Sequence, residues 1–402
     1  MKQILLLLAF SLATATLHAQ PYPFQNTGLG DEERLDNLIS LMTLDEKINC
    51  LSSRLSVPRL GINGTKIIEG LHGLALSGPA NWAVRGKGSS VTTTFPQAIG
   101  LAQMWDPELL RQVAALEAEE ARWLAQNPAY ASAGLIVLAP NADLGRDVRW
   151  GRTEECYGED AFLTARLTVA FVKGLQGDHP KYWKTASLMK HFLANSNENN
   201  RAQNSSDIDD RLFREYYSYP FYKGVTEGGS RAYMTAYNKY NGIPCTVHPV
   251  LKEVTVNEWG QNGIIITDGG AYRQLLTHHK YYPDLKTAAK GCLDAGTTIF
   301  LDNFRDPLAE ALREGLISEA EIGRAIRGNL RVLLRLGLLD SPENRENPYR
   351  NIGITDTVGP WKKDETIGLA RLATSKSVVL LKNDNQTLPL QKEKYKTIAV
   401  IG

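Results

Sequence analysis

The stretch "GLIVLAPNADLGRDVRWGRTEECYGED" (134–160) opens as an unbroken apolar run. From Asn141 it becomes twenty residues holding three arginines, a tryptophan and seven acids or amides. An apolar run without polar alternation marks a strand buried on both faces. Charge gathered just beyond such a strand is what a barrel fold places at the C-terminal ends of its strands. The pattern recurs in "TKIIE" (65–69), "ASLMK" (186–190), "RAYMTAY" (231–237), "GIIITD" (263–268) and "TTIFLD" (297–302). Amphipathic stretches lie between these runs, among them "PELLRQVAALEAEEARWLA" (107–125) and "DAFLTARLTVAFVKGLQG" (160–177). Buried strands alternating with helices over roughly 250–300 residues predict an α/β fold, a (β/α)8 TIM-barrel-like domain, rather than an open sheet.

The strand ends name the candidate site. Glu69, Lys190 with His191, Tyr237, Asp268 and Asp302 each close an apolar run, so a parallel barrel would gather them on one rim. Asp268 follows β-favouring residues and precedes two glycines, which permit a sharp exit from the strand. That suits a nucleophile pushed into a pocket. The competing role is a cap for a helix starting near Tyr272. Lys190 and His191 adjoin at a strand end, so alternation predicts one pointing inward and the other sideways, both able to donate to hydroxyls. Arg152 stands near Glu154 and Glu155, and an arginine fork can bind hydroxyls while orienting a carboxylate. Trp150 reads as core or wall. Met234 and Tyr237 sit near another strand end, with Tyr237 in reach of a carboxylate nucleophile, and His72 lies one turn from Glu69. His278 and His279 have no third ligand at a useful spacing for a metal.

The net charge of +1 gives no electrostatic case for nucleic acid or an anionic membrane. "MKQILLLLAFSLATATLHAQ" has a basic start, a short apolar run and small residues near Ala19, the pattern of a cleaved signal peptide over residues 1–19. The expected location is periplasmic or secreted, and no later stretch is long enough for a membrane span. In that compartment Cys50, Cys156, Cys245 and Cys292 are free to pair. The barrel is expected over 30–340. "SPENRENPYRN" then opens a linker and connecting helix over 341–375. "YKTIAVIG" reads as the first strand of a further α/β domain, which residues 376–402 would only begin.

Taken in order, "MTLDEKI" (42–48), "TTFPQAIGLAQMWDPELL" (93–110), "NADLGRDVRWGRTEECYGED", "KHF", "DDRLFREYYSYPF" (209–221), "MTAYNKYNGIP" and "IIITDGGA" resemble glycoside hydrolase family 3. The resemblance implies a barrel-like first domain followed by an α/β sandwich domain. It makes Asp268 the catalytic nucleophile, and Lys190, His191 and Arg152 the binders of sugar hydroxyls. Tyr237 then stands beside the nucleophile, Met234 near the pocket wall, and Glu69 on the distal ring hydroxyls. Many glucosidases of the family carry Asp at that last position, and Glu is frequent in its xylosidases. The implied chemistry is two-step retention through a covalent glycosyl-enzyme, with no metal or organic cofactor. In two-domain members the acid/base glutamate comes from the sandwich domain. The β-N-acetylglucosaminidase branch carries "KHFPGHG", where this chain has "KHFLANSNE". The expected activity is exo-acting removal of terminal β-D-glucosyl units from β-glucosides or oligosaccharides. A β-xylosidase or arabinosidase is the alternative, and an inactive sugar-binding protein is the alternative of another class.

Overall fold

Six parallel strand positions fall where the six apolar runs predict them. The computed structural model describes residues 22–76, 92–130 and 133–401; the leader-like segment 1–19 lies outside them. The strands are β1 (Arg54–Val57), β2 (Ile62–Glu69), β3 (Ile136–Leu138), β4 (Ala186–Ser187), β5 (Met189–Phe192), β6 (Ser205–Ser206), β7 (Ala232–Thr235), β8 (Lys239–Tyr240), β9 (Ile243–Pro244) and β10 (Ile264–Ile266). β2, β3 and β4 pair in parallel, as do β5, β7 and β10. β4 and β5 are one chain run that changes partners at Leu188. Parallel bridges Ile266↔Ile299 and Ser52↔Phe300 carry the ring on to the segment leading into β1, which runs antiparallel to β2. The result is a barrel of the (β/α)8 type, and its parallel strands all end on one rim.

The sequence supports this arrangement locally. Ile264, Ile265 and Ile266 are at most 2% exposed, and burying each side chain contributes roughly 2 kcal/mol. A charge at Ile265 would therefore break β10. Glycine is required where strands begin to touch. A Cβ at Gly134 would lie 2.0 Å from the Lys66 carbonyl oxygen, and one at Gly263 would lie 2.0 Å from that of Arg231. Outer helices start on side-chain caps: Asp106 for Pro107–Gln126, Asp160 for Ala161–Gln176 and Asp284 for Leu285–Ala295. Ser318 and Glu321 form a reciprocal capping box for Glu319–Arg335. The short strands β6, β8 and β9 make a separate small sheet above the rim.

The segment expected to be a linker is packed instead. Gln126 Nε2 donates to the Ile352 carbonyl at 2.6 Å and Asn127 Nδ2 to that of Gly353 at 2.8 Å. Trp361 meets Trp123 edge-on at 5.1 Å. Helix Asp364–Ser377 lies on Ala98–Ala102 and Pro107–Gln126, and Lys376 pairs with Asp106 at 2.9 Å. Polar character was misleading here because Gln126 and Asn127 of the helix reach the backbone carbonyl groups of this segment. Beyond Ser377 the expected strand at 395–401 is not formed. Val378 to Leu381 and Ile398 to Ile401 are exposed, and among the described residues no neighbouring strand takes up their N–H and C=O groups. The four cysteines are all buried and free, so the possible pairing is not made. Among the described residues no helix is long and apolar enough to cross a membrane.

Candidate active site

The shared strand direction delivers Glu69, Asn141, Lys190, His191, Tyr237 and Asp268 to the same end of the barrel. Lys190 and His191 both turn into this cluster, contrary to the alternation expected of a regular strand. An irregularity in the β5–β7 pairing between Met189 and Phe192 interrupts the two-residue period there. Lys190 Nζ donates to Glu69 Oε2 at 2.7 Å, and the lysine side chain is 5% exposed.

His191 is fixed on two sides. Its backbone N–H and ring Nδ1 both meet Asp143 Oδ2, at 3.1 and 2.9 Å. Arg152 Nη2 donates to its Nε2 at 3.2 Å. An arginine can only donate, so Nε2 accepts and the ring proton sits on Nδ1, facing Asp143. Burial, then the charges of Arg152, Lys190 and Arg201, push His191 well below its usual range. The ring is therefore neutral. Burial also raises Asp143 well above the usual carboxylate range, opposed by Arg152.

Arg152 is itself held as a two-pronged ion pair by Glu155, Nε to Oε1 at 2.7 Å and Nη2 to Oε2 at 2.8 Å. Burial opposes the charge of both partners, yet the pair raises the guanidinium and lowers the Glu155 carboxyl. Asn141 Nδ2 donates to the same carboxylate at 3.4 Å. Trp150 is 5% exposed and donates to Glu198 at 3.2 Å, which makes it wall, as expected. Glu198 also binds Arg201 at 2.7 Å, and the Arg201 guanidinium lies 4.5 Å from the centre of the Tyr237 ring.

Asp268 stands in the middle. Its Oδ1 accepts from Tyr237 OH at 2.9 Å and from the Gly269 N–H at 2.6 Å. Its Oδ2 faces His191 Nε2 at 3.9 Å without a hydrogen bond. Burial raises the Asp268 carboxyl; the Tyr237 hydroxyl, the Gly269 N–H, Lys190 and Arg152 pull it back. Tyr237 is raised by burial and by the Asp268 charge, so it keeps its proton and donates. The capping role considered for Asp268 belongs to Asp302, which accepts from the N–H groups of Gly270 and Arg273 at 2.6 and 3.0 Å. Asp302 therefore leaves the set of pocket residues. Met234 is 3% exposed within the barrel core, at the level of Ile266, and makes no polar link to the cluster. His72 binds the Phe95 carbonyl at 3.0 Å and ties down the loop after Glu69.

The sequence reading passed over Asp143, Glu155 and Arg201 as working parts. Asp143 and Glu155 both lie in the polar stretch that follows β3; Glu155 stands three residues from the Arg152 it binds, whereas Asp143 meets His191 48 positions further along. It also passed over Glu117 and Glu120 on helix Pro107–Gln126. Glu117 accepts from the Gly73 N–H at 3.2 Å and Glu120 from Thr93 Oγ1 at 2.5 Å. They hold Gly73, four residues after Glu69, and Thr93, just before helix Ala98–Ala102. Nothing in an amphipathic helix pattern marks such inward-facing acids.

The arrangement is one carboxylate with an open oxygen, among two cations, a neutral imidazole and a phenol, all gathered at one end of the barrel. Residues 80–332 match the family model for the glycosyl hydrolase family 3 N terminal domain. β-D-xylosidase 1 of Arabidopsis thaliana is 33% identical over 378 residues, covering 92% of this chain and 47% of that protein. A β-xylosidase of Formosa agariphila is 33% identical over 415 residues, covering 99% of this chain and 54% of that protein. A family 3 exo-β-xylosidase solved with a xylobiose aziridine probe superposes with a TM-score of 0.82 at 28% identity, over 92% of this chain and 48% of that one. A Listeria innocua β-glucosidase solved with glucose superposes with a TM-score of 0.73 at 27% identity, over 90% and 53%. The chain spans about half the length of the curated relatives it matches. The family-model match, the relatives and the shared barrel show that this chain belongs to glycosyl hydrolase family 3 and carries its N-terminal domain.

Proposed function

We propose that this chain carries the nucleophile and the sugar-holding pocket of a retaining, exo-acting β-glycosidase that takes terminal β-xylosyl units. The observation that carries the reading is Asp268 with Oδ2 open and Oδ1 anchored, facing a cluster of hydroxyl-binding side chains. Asp268 Oδ2 attacks the anomeric carbon as the bond to the leaving oxygen breaks, giving a covalent glycosyl-enzyme that water then opens. Tyr237 and the Gly269 N–H hold Oδ1, so that the free oxygen is aimed. Lys190, His191, Arg152 and Glu69 grip ring hydroxyls, more tightly as the ring flattens toward the transition state.

Glu69 and the names of the relatives favour xylose over the glucosyl substrate expected first from the sequence. Glutamate reaches one methylene further than aspartate, and here it reaches Lys190. A longer acid leaves less room beside Lys190, which favours a pentose over a hexose with its extra hydroxymethyl group. The second reading is a β-glucosidase, favoured by the fold match to enzymes of that name. Glu155 is engaged with Arg152 and held below its ordinary range, so it suits an anionic holder and not the general acid. No carboxyl among the described residues is assigned the acid's part. Export follows as a proposal from the leader-like residues 1–19, checked by the N-terminal sequence of the mature protein.

Turnover of 2,4-dinitrophenyl β-xyloside and β-glucoside tests the sugar, since this leaving group departs without acid assistance. A kcat/KM at least about tenfold higher for the xyloside is expected, the usual reach of one group's fit in a pocket. A glucoside preference would overturn the xyloside reading in favour of the second.

A further inference from the structure

The turn that follows β2 rests on two buried acids that take no part in the reaction at Asp268. Glu117 and Glu120 lie one helical turn apart on the inward face of helix Pro107–Gln126, each 1% exposed. Neither leans on a cation. Among the described residues their partners are the Gly73 N–H for Glu117, and the N–H and hydroxyl of Thr93 for Glu120. Burial raises Glu117 well above the usual carboxylate range, opposed by the Gly73 N–H. Burial likewise raises Glu120, opposed by Thr93. A buried acid is costlier than an apolar side chain of its size, so packing alone does not account for the pair.

What they hold is the backbone behind Glu69. Beyond Glu69 the chain doubles back, and the Ala75 N–H donates to the Glu69 carbonyl at 3.0 Å. Inside that turn, a Cβ at Gly70 would stand 2.0 Å from Glu117 Oε1, so the acid lies flush against the residue next to Glu69. Glu117 Oε2 accepts from the Gly73 N–H at 3.2 Å. Thr93 closes the turn from the other side: a Cβ at Gly73 would lie 2.2 Å from its carbonyl oxygen. Glu120 fixes Thr93 in turn, through the N–H at 3.0 Å and the hydroxyl at 2.5 Å. Lys190 thus holds the carboxylate of Glu69, and the two acids hold its backbone.

We propose that Glu117, backed by Glu120, is a positioning residue that sets where Glu69 stands and thereby the choice of sugar. It touches no substrate and acts through Gly70 and Gly73. The inference rests on the part given to Glu69 in the proposed function. Loss of the Gly73 tether frees the turn, and the Glu69 carboxylate then gives way to a larger ring.

The test is kcat/KM of the 402-residue chain for 2,4-dinitrophenyl β-xyloside and β-glucoside. Glu117→Leu keeps the bulk and removes the acceptor, and the xyloside-to-glucoside ratio should fall about tenfold, the usual worth of one buried hydrogen bond. Glu117→Gln gives Gly73 an acceptor again and should restore the ratio. In a Glu69→Ala background Glu117→Leu should change the ratio no further, because its path runs through Glu69. A lower Tm in Glu117→Leu with an unchanged ratio, or the same shift with and without Glu69, would overturn the proposal. If circular dichroism shows Glu117→Leu unfolded, Thr93→Val carries the same comparison. It loses only the hydroxyl bond to Glu120, with an expected shift of about threefold. A parent that prefers the glucoside would fault the xyloside reading alone, since the coupling of Glu117 to Glu69 is read from the same ratio. A parent that turns over neither donor would fault the glycosidase reading, and the variants are then compared by their relative affinity for D-xylose and D-glucose in ligand-observed NMR titration.

Discussion

Asp268 and Asp302 end neighbouring strand positions, bridged through Ile266 and Ile299, and both close a β-rich run. Their surroundings give them opposite work. Both oxygens of Asp302 are taken by backbone N–H groups at the start of helix Ala271–Thr277, so it fastens that helix to the barrel. Asp268 has one oxygen anchored by Tyr237 and Gly269 and the other open among Lys190, Arg152 and His191. The residue type and its place at a strand end do not separate structure from chemistry. The number of oxygens left free does.

The largest effect should come from removing the open carboxylate. Asp268→Ala is expected to lower kcat on dinitrophenyl glycosides on the order of 10⁴-fold. Stability should be unchanged or higher. Burial raises the folded pKa of Asp268, so its ionised form is held at a cost above the unfolded pKa. Thermal unfolding at neutral pH checks this, and a marked drop in Tm would mean that Asp268 is a second structural carboxylate like Asp302.

Tyr237→Phe removes a hydrogen bond to the charged form of Asp268 and should cost about ten- to a hundredfold in kcat. The bond lowers the Asp268 pKa, so its loss raises it. On the proposed role, activity falls at low pH as Asp268 takes a proton, so the acid limb of the kcat/KM profile should move to higher pH. A limb that stays in place would show that Tyr237 does not act through Asp268.

Glu69→Asp, one methylene shorter, should shift the xyloside-to-glucoside ratio of kcat/KM by about tenfold toward glucoside. An unchanged ratio would remove Glu69 from sugar selection. The smallest effect belongs to the capping aspartate. Asp302→Ala should cost about 1 kcal/mol of stability and lower Tm by about 2 °C. Its kcat should stay within a few-fold of the parent, and a large activity loss would erase the contrast with Asp268.

Much of the barrel was legible because six runs such as "GIIITD" combine β-branched residues with flanking breaks, and burial on both faces leaves no polar alternation to confuse them. The pocket was legible in part for the same reason, since parallel strands put their ends on one rim. What escaped depends on partners distant in sequence. Asp302 shows the same local pattern as Asp268, and only the backbone of Gly270 and Arg273 separates them. The joint inward turn of Lys190 and His191 rests on a pairing irregularity that no residue preference announces. "YKTIAVIG" has the composition of a strand, but composition cannot supply a neighbouring strand. The linker-like "SPENRENPYRN" precedes a segment that packs because Gln126 and Asn127 reach its carbonyl groups from a helix more than two hundred residues earlier.

The most direct test of the central claim is covalent labelling of this chain with dinitrophenyl 2-deoxy-2-fluoro-β-xyloside and -glucoside, read by intact and peptide mass. The account predicts one sugar per chain on the peptide holding Asp268, faster from the xylosyl donor, and none in Asp268→Ala. A folded chain that takes no label, or one labelled at another carboxylate while Asp268 stays free, would contradict it.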